Sequence, residues 1–217
     1  MIDSAIYYGG YWTSFWAFTL GWSFRAGGRE NVPKTGPVLL VSNHSSHFDP
    51  WLFGLGAPRR LTYLARSTLF TNRIFAKFIR AYGAMPIDRD FGREGLESVV
   101  KAFDAGRCVI MFPEGTRSED GGPQPLKPGV SLLVKRTNAT IIPCGIAGSF
   151  AAWSRHSVLP KMSPLFLADA GRSIAVSFGK PVPAGMYRGM KREAILSDMQ
   201  SRIAEQYAEA ERLRRKR

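Results

Sequence analysis

With 217 residues, 45% of them apolar, and no low-complexity block, linker or internal repeat, the chain can bury one domain-sized core and is too apolar for general disorder. A formal charge of +13 requires an anionic partner: nucleic acid, acidic lipid head groups or a phosphorylated substrate. Cys108 and Cys144 lie in separate apolar runs and there is no Cys-x-x-Cys, so both read as buried core residues in a reducing compartment rather than a disulfide or metal pair.

Ser4 to Phe24 carries no charge and is crowded with rings, from Tyr7, Tyr8, Tyr11 and Trp12 through Phe15, Trp16 and Phe18 to Trp22 and Phe24. It lacks the basic lead and small-residue cleavage site of a secretory signal. At about 1.5 Å per residue it is long enough to cross a bilayer. Tyr and Trp, however, prefer the head-group level, and Leu20 is its only Leu, Ile or Val after Ile6. The segment is therefore expected to be a membrane-associating helix, monotopic or partly inserted, rather than one simply packed on the domain. Whether it spans the bilayer is left open. The expected division is a membrane-associating helix over 1–28 and an α/β domain over 29–217.

Beyond it, Pro37–Ser42 is a continuous apolar run of the kind that forms a strand buried on both faces, and Leu61–Ala65, Arg107–Phe112, Ala139–Cys144 and Ser173–Phe178 resemble it. Helical patterns alternate with these runs. Ile74, Phe75, Phe78, Ile79 and Tyr82 form one apolar stripe, with Arg73, Lys77 and Arg80 on other faces; Leu96, Val99, Val100 and Phe103 form another, closed by Gly106 in a C-cap position. Val130–Lys135 and Glu193–Arg212 complete the set. Such alternation predicts an α/β fold, a mostly parallel central sheet flanked by helices. The basic end (Arg212, Arg214, Arg215, Lys216, Arg217) reads as a solvated helix terminus, with contact to anionic lipid as a second role.

Two motifs follow strands, where such sheets place their ligands. In Asn43-His44-Ser45-Ser46-His47-Phe48-Asp49-Pro50, residues five apart fall on different faces of a helix, so contact between His44 and Asp49 needs a loop. Asp before Pro at a helix start predicts an N-cap, which would turn Asp49 back toward His44. A carboxylate on one ring nitrogen fixes the tautomer, and the other nitrogen takes a proton from a substrate hydroxyl. The plain alternative is a polar loop histidine and a capping aspartate. The second motif, Phe112-Pro113-Glu114-Gly115-Thr116-Arg117-Ser118, offers amides, a hydroxyl and a guanidinium suited to a phosphate or oxyanion, or else is an ordinary turn with a surface arginine.

Together the His44-x4-Asp49 and FPEGTRS motifs resemble the glycerolipid acyltransferase family, whose bacterial members include 1-acylglycerol-3-phosphate acyltransferases. The lead-in ENVPKTGPVLLVSNHSSHFDP from Glu30, the block Gly83–Arg89 and the apolar Ile142-Pro143-Cys144-Gly145-Ile146 are similar to the family's further blocks and keep its order. The resemblance implies His44 as general base and Asp49 as its orienting partner. It implies Arg89, Glu114, Gly115, Thr116 and Arg117 as the acceptor-phosphate site, joined by Lys127 in Leu126-Lys127-Pro128-Gly129. It further implies an acyl-CoA or acyl carrier protein thioester as co-substrate, no cofactor and no metal, a lysophospholipid acceptor (lysophosphatidic acid by default, another lysolipid as the alternative), and a peripheral or monotopic place on the cytoplasmic face of a membrane. His47 is a bystander or a weak metal ligand on this reading.

Rival classes are weaker. A metallohydrolase using His44, His47 and Asp49 lacks the usual ligand spacing, with only His156 left to complete a site. A serine esterase lacks any Gly-x-Ser-x-Gly. A nucleic-acid binder would interleave aromatics with Lys and Arg, whereas here the rings are gathered in one uncharged segment. A mere membrane-anchoring module leaves the polar motifs without a purpose.

Overall fold

Val38–Ser42 forms a strand whose five residues are all buried, so the sheet must be covered on both sides. The computed structural model describes residues 4–87, 93–166, 171–183 and 185–215. In chain order the elements are α1 (Ser4–Trp22), β1 (Arg25–Gly27), β2 (Val38–Ser42), α2 (Asp49–Gly56), β3 (Leu61–Arg66), α3 (Arg73–Ala81), β4 (Ala84–Ile87), α4 (Arg93–Asp104), β5 (Cys108–Met111), α5 (Gly129–Arg136), β6 (Thr140–Ala147), α6 (Ser149–Trp153), β7 (Ala175–Phe178) and α7 (Arg192–Arg215). The sheet order is β1-β7-β6-β2-β5-β3-β4. From β6 to β4 every pairing is parallel. β7 runs antiparallel to β6, and β1 follows β7. The expected mostly parallel sheet is therefore present.

Alternation along β2 explains the layers. Val38 and Leu40 face a core shared with Phe18, Phe24, Leu52 and Phe53, under α1 and α2. Leu39 and Val41 face the opposite core of Val99, Phe103, Leu133, Val134, Met199 and Ile203, under α4, α5 and α7. α4 ends as its glycine demands: Gly106 adopts φ 66°, its N–H bonds Phe103 O at 2.8 Å, and Arg107 N bonds Ala102 O at 3.0 Å. α7 crosses β6 so closely at Gly145 that a Cβ there would lie 2.2 Å from the backbone of Gln206 and Tyr207.

β1 and β4 were not foreseen. Both are short edge strands without a fully buried residue, so neither shows a continuous apolar run, and Pro86 is tolerated in β4 because it lies at the edge. The boundary expected after residue 28 does not divide the molecule. β1 is inside the sheet, and Tyr11, Phe15, Phe18 and Trp22 of α1 pack on the same core as α2. The other side of α1 is open, with Tyr8, Trp12, Trp16 and Leu20 exposed. Among the described residues no helix is long and apolar enough to cross a membrane. The stripe in α3 also faces unexpectedly: Ala76 is the buried residue, and Ile74, Phe75 and Phe78 point to solvent. At the other terminus, Arg212 pairs with Glu209, and Arg214 and Arg215 pair with Glu211. Those three cations are thus largely answered within α7 itself.

Candidate active site

β2 and β5 are parallel neighbours with Val41 opposite Met111, so the segments after them leave the sheet side by side. The two sequence motifs meet for that reason. His44 O accepts from Ser118 N at 2.7 Å, and His44 N donates to Glu114 Oε2 at 3.2 Å. The imidazole stacks on Phe112, ring centroids 4.2 Å apart. Its main chain and its ring plane are both fixed by the neighbouring loop.

His44 Nδ1 donates to Asp49 Oδ2 at 2.8 Å. The same oxygen accepts from Ser45 N at 2.6 Å and Ser46 N at 2.8 Å, and Asp49 is fully buried. Three donors converging on one carboxylate oxygen keep it an acceptor and keep the ring proton on Nδ1. The expectation that Asp49 is the N-cap of α2 is corrected. The cap position falls on Phe48, already helical at φ −74° and ψ −23°, and Asp49 is the first helical residue. Its carboxylate serves the upstream turn instead of its own helix, because two free amides and the imidazole all lie there. Asp49 Oδ1 is buried without a hydrogen bond among the described residues. His44 Nε2 likewise has no protein partner among them, and the side chain is 19% exposed, enough to meet a substrate from one side.

Glu114 is buried; its Oε1 accepts from Gln124 N at 3.0 Å while Oε2 holds His44 N, so it braces two loops. Burial pushes its carboxyl up to about 7, against the pull of those two amides. Gly115 and Lys127 do come together: Gly115 adopts φ 71°, and the Lys127 side chain lies where its Cβ would be, with Nζ 2.8 Å from that point. Lys127 N anchors this strap to Pro113 O at 2.8 Å. Thr116 is exposed on the same loop.

The Arg117 guanidinium donates to His47 Nε2. Burial holds the His47 pKa below its ordinary value, and the charge of Arg117 lowers it further, so His47 is the neutral acceptor in this pair. Burial, Arg155 and Arg66 in turn lower the Arg117 pKa, while Asp49 opposes them. Arg155 and Arg66 thus stand near enough to Arg117 to oppose its charge, and Arg155 is itself paired with Glu119. Arg66 was missed in the sequence, where its signal is a lone cation at the carboxyl end of the strand beside β5. Arg89 lies outside the described residues. With His44 turned to Asp49 and His47 to Arg117, no group of three or more His, Cys, Asp or Glu is placed to hold a metal ion among the described residues.

The third wall was also unforeseen. Asn43 pairs with Ile146 through both its amide atoms at 2.9 Å, Ser45 Oγ lies 3.0 Å from Ser149 Oγ, and Ser46 Oγ donates to Trp153 O at 2.7 Å. Short, buried Asn and Ser side chains tie the His44 turn to β6 and α6. The whole arrangement provides a base of fixed tautomer beside a cationic rim. It is suited to deprotonating a hydroxyl on an anionic substrate.

Comparison with known proteins shows what the chain is similar to. A family model described as Acyltransferase matches residues 23–147, more than half of the chain and both motifs. A 1-acyl-sn-glycerol-3-phosphate acyltransferase of Bacillus subtilis is 29% identical over 55% of this chain and 60% of its own length. One from Streptococcus pneumoniae is 34% identical over 51% and 41%. A probable 1-acyl-sn-glycerol-3-phosphate acyltransferase of Mycoplasma pneumoniae is 29% identical over 83% and 69%. The chain thus matches 60% of the length of the first and 41% of the second. The crystal structure of the Thermotoga maritima 1-acyl-sn-glycerophosphate acyltransferase PlsC shares the fold, with a TM-score of 0.73 at 20% identity over 95% of this chain and 78% of that one. On the match of the family model across the strands and loops that build the His44–Asp49 site, the chain belongs to the acyltransferase family.

Proposed function

We propose that this protein transfers a fatty acyl group from a thioester donor, acyl-CoA or acyl carrier protein, to the free hydroxyl of 1-acylglycerol 3-phosphate, giving phosphatidic acid in phospholipid biosynthesis. The observation that carries this reading is the His44 Nδ1–Asp49 Oδ2 bond at 2.8 Å, with Nε2 open beside the cations of the Arg117 loop. The acceptor phosphate rests on Arg117, Lys127 and Arg89, with Arg66 at the rim. Nε2 takes the proton as the hydroxyl oxygen attacks the thioester carbonyl, loop amides hold the oxyanion, and the imidazolium returns the proton to the departing thiolate. One ester forms and one thioester breaks, with no covalent acyl-enzyme, metal or cofactor. The exposed aromatic side of α1 lies in the membrane interface on the cytoplasmic side, where the thioester donors are.

The test is thiol release with both donors and a panel of lysolipid acceptors in detergent. His44→Ala should lose roughly 10^3-fold or more in kcat while keeping its circular dichroism, and near-normal turnover would refute the assignment. Arg89→Ala should raise the acceptor KM and spare kcat. An unchanged KM would remove Arg89 from the site.

A further inference from the structure

α3 is a helix with its apolar residues on the outside. Ile74, Phe75 and Phe78 are 85%, 46% and 56% exposed. This is not fraying, because Asn72 Oδ1 caps the helix by accepting from Ile74 N and Phe75 N at 3.0 Å each. Arg73, Lys77 and Arg80 lie on the side of the helix away from that apolar face, Arg80 lies over the Phe70 ring, and the helix holds no acidic residue. Leu69, just before it, is exposed as well.

Position gives this face its meaning. α3 starts past the carboxyl end of β3, on the side where the His44 and Arg117 loops open, and returns the chain to the amino end of β4. Past its last residue, Tyr82 reaches α1: its ring lies 6.0 Å from Tyr7, and its hydroxyl occupies the space that a side chain at Gly10 would need. The apolar surface therefore continues onto the helix that exposes Tyr8, Trp12 and Trp16.

We infer that α3 is a second membrane-seating element, which buries Ile74, Phe75 and Phe78 among the acyl chains of an anionic bilayer while Arg73 and Lys77 engage lipid phosphates. The inference rests on the proposed action on a lipid acceptor. An apolar band backed by a cationic face, in contact with an aromatic helix through Tyr82, is the pattern of an interfacial helix. An acidic carrier protein would be met by the cations alone and would leave three large apolar side chains unused. Seated on two helices, the molecule holds the mouth of the site against the lipid surface, and an acceptor need not leave the bilayer to reach His44.

The test is sedimentation of the full chain with phosphatidylcholine vesicles, with and without phosphatidylglycerol, in the absence of any acyl donor. The exposed triple variant Ile74→Ser/Phe75→Ser/Phe78→Ser should keep its circular dichroism and partition roughly tenfold or more weakly into both kinds of vesicle. Arg73→Gln/Lys77→Gln should lose a few-fold, mainly the part that depends on phosphatidylglycerol. Wild-type partitioning by the triple variant would overturn the inference, as would failure of the wild-type chain to bind either vesicle. So would a dimer that the triple variant dissociates, since that assigns the face to a protein partner. Because no donor is present, these results stand whatever the thiol-release assay returns.

Discussion

The turn that carries His44 and the rim of Thr116, Arg117 and Lys127 are built on opposite principles. In the turn, Asn43, Ser45, Ser46, Asp49 and Glu114 are buried, and hydrogen bonds to backbone amides, carbonyls and one another fix them. At the rim, Thr116 and Lys127 are exposed, Arg117 is half-buried, and the helices nearby show aromatic and aliphatic side chains to solvent. A base must stand within a fraction of an ångström of its proton, which only an over-determined backbone secures. A surface for flexible lipid needs charge and apolar area, which mobile side chains supply. Changes in the turn should therefore damage kcat or folding, and changes at the rim should damage KM or membrane contact.

The sharpest test of that contrast is Asp49→Asn. It keeps the shape but cannot accept from Nδ1, Ser45 N and Ser46 N in the same way, so the ring loses its fixed tautomer. Turnover should fall roughly 10^3- to 10^4-fold with little change in acceptor KM. A pure KM effect would move Asp49 to the rim class. Arg117→Ala comes next, with the acceptor KM raised roughly 10- to 100-fold and kcat nearly kept, because its charge meets the phosphate in ground and transition states alike. A collapse of kcat at saturating acceptor would break the comparison from the other side.

Glu114→Gln gives the smallest effect and the most specific one. The folded carboxyl titrates near 7 and the ordinary value is 4.5, so between those values the native protein holds a proton that the unfolded chain has released. The stability this proton brings is full below 4.5 and is lost as pH rises through about 7. The wild-type melting temperature should accordingly fall across this window relative to that of Glu114→Gln, which has no such titration. Parallel melting curves against pH would show that Glu114 is not the buried proton holder. Replacing it with Ala should cost more, about 1–3 kcal/mol for each buried amide left unpaired.

Much of the fold was legible because β2, β5, β6 and β7 are buried enough to need continuous apolar runs, and α4 and α7 follow their helical period. The edge strands β1 and β4 were silent, since a half-buried strand of three or four residues has no period to show. Within the site, the His44–Asp49 pair and the FPEGTRS loop could be read because each is a local motif, and their company in order pointed to the family. The bracing of two loops by Glu114 could not be read from its residue type. The residue types also said nothing of Ser149, Trp153 or Arg66.

The sequence by itself determined which residues are able to act: a histidine and an aspartate at loop spacing, a cationic turn, and an aromatic helix without charge. Only the tertiary structure decided what each of them does. The parallel pairing of β2 with β5 brings His44 to Phe112 and Glu114, and the direction of one turn makes Asp49 serve the imidazole rather than its own helix. The packing of α3 through Ala76 sends its apolar stripe outward. Composition and spacing are properties of the chain, whereas facing is a property of what packs on the other side.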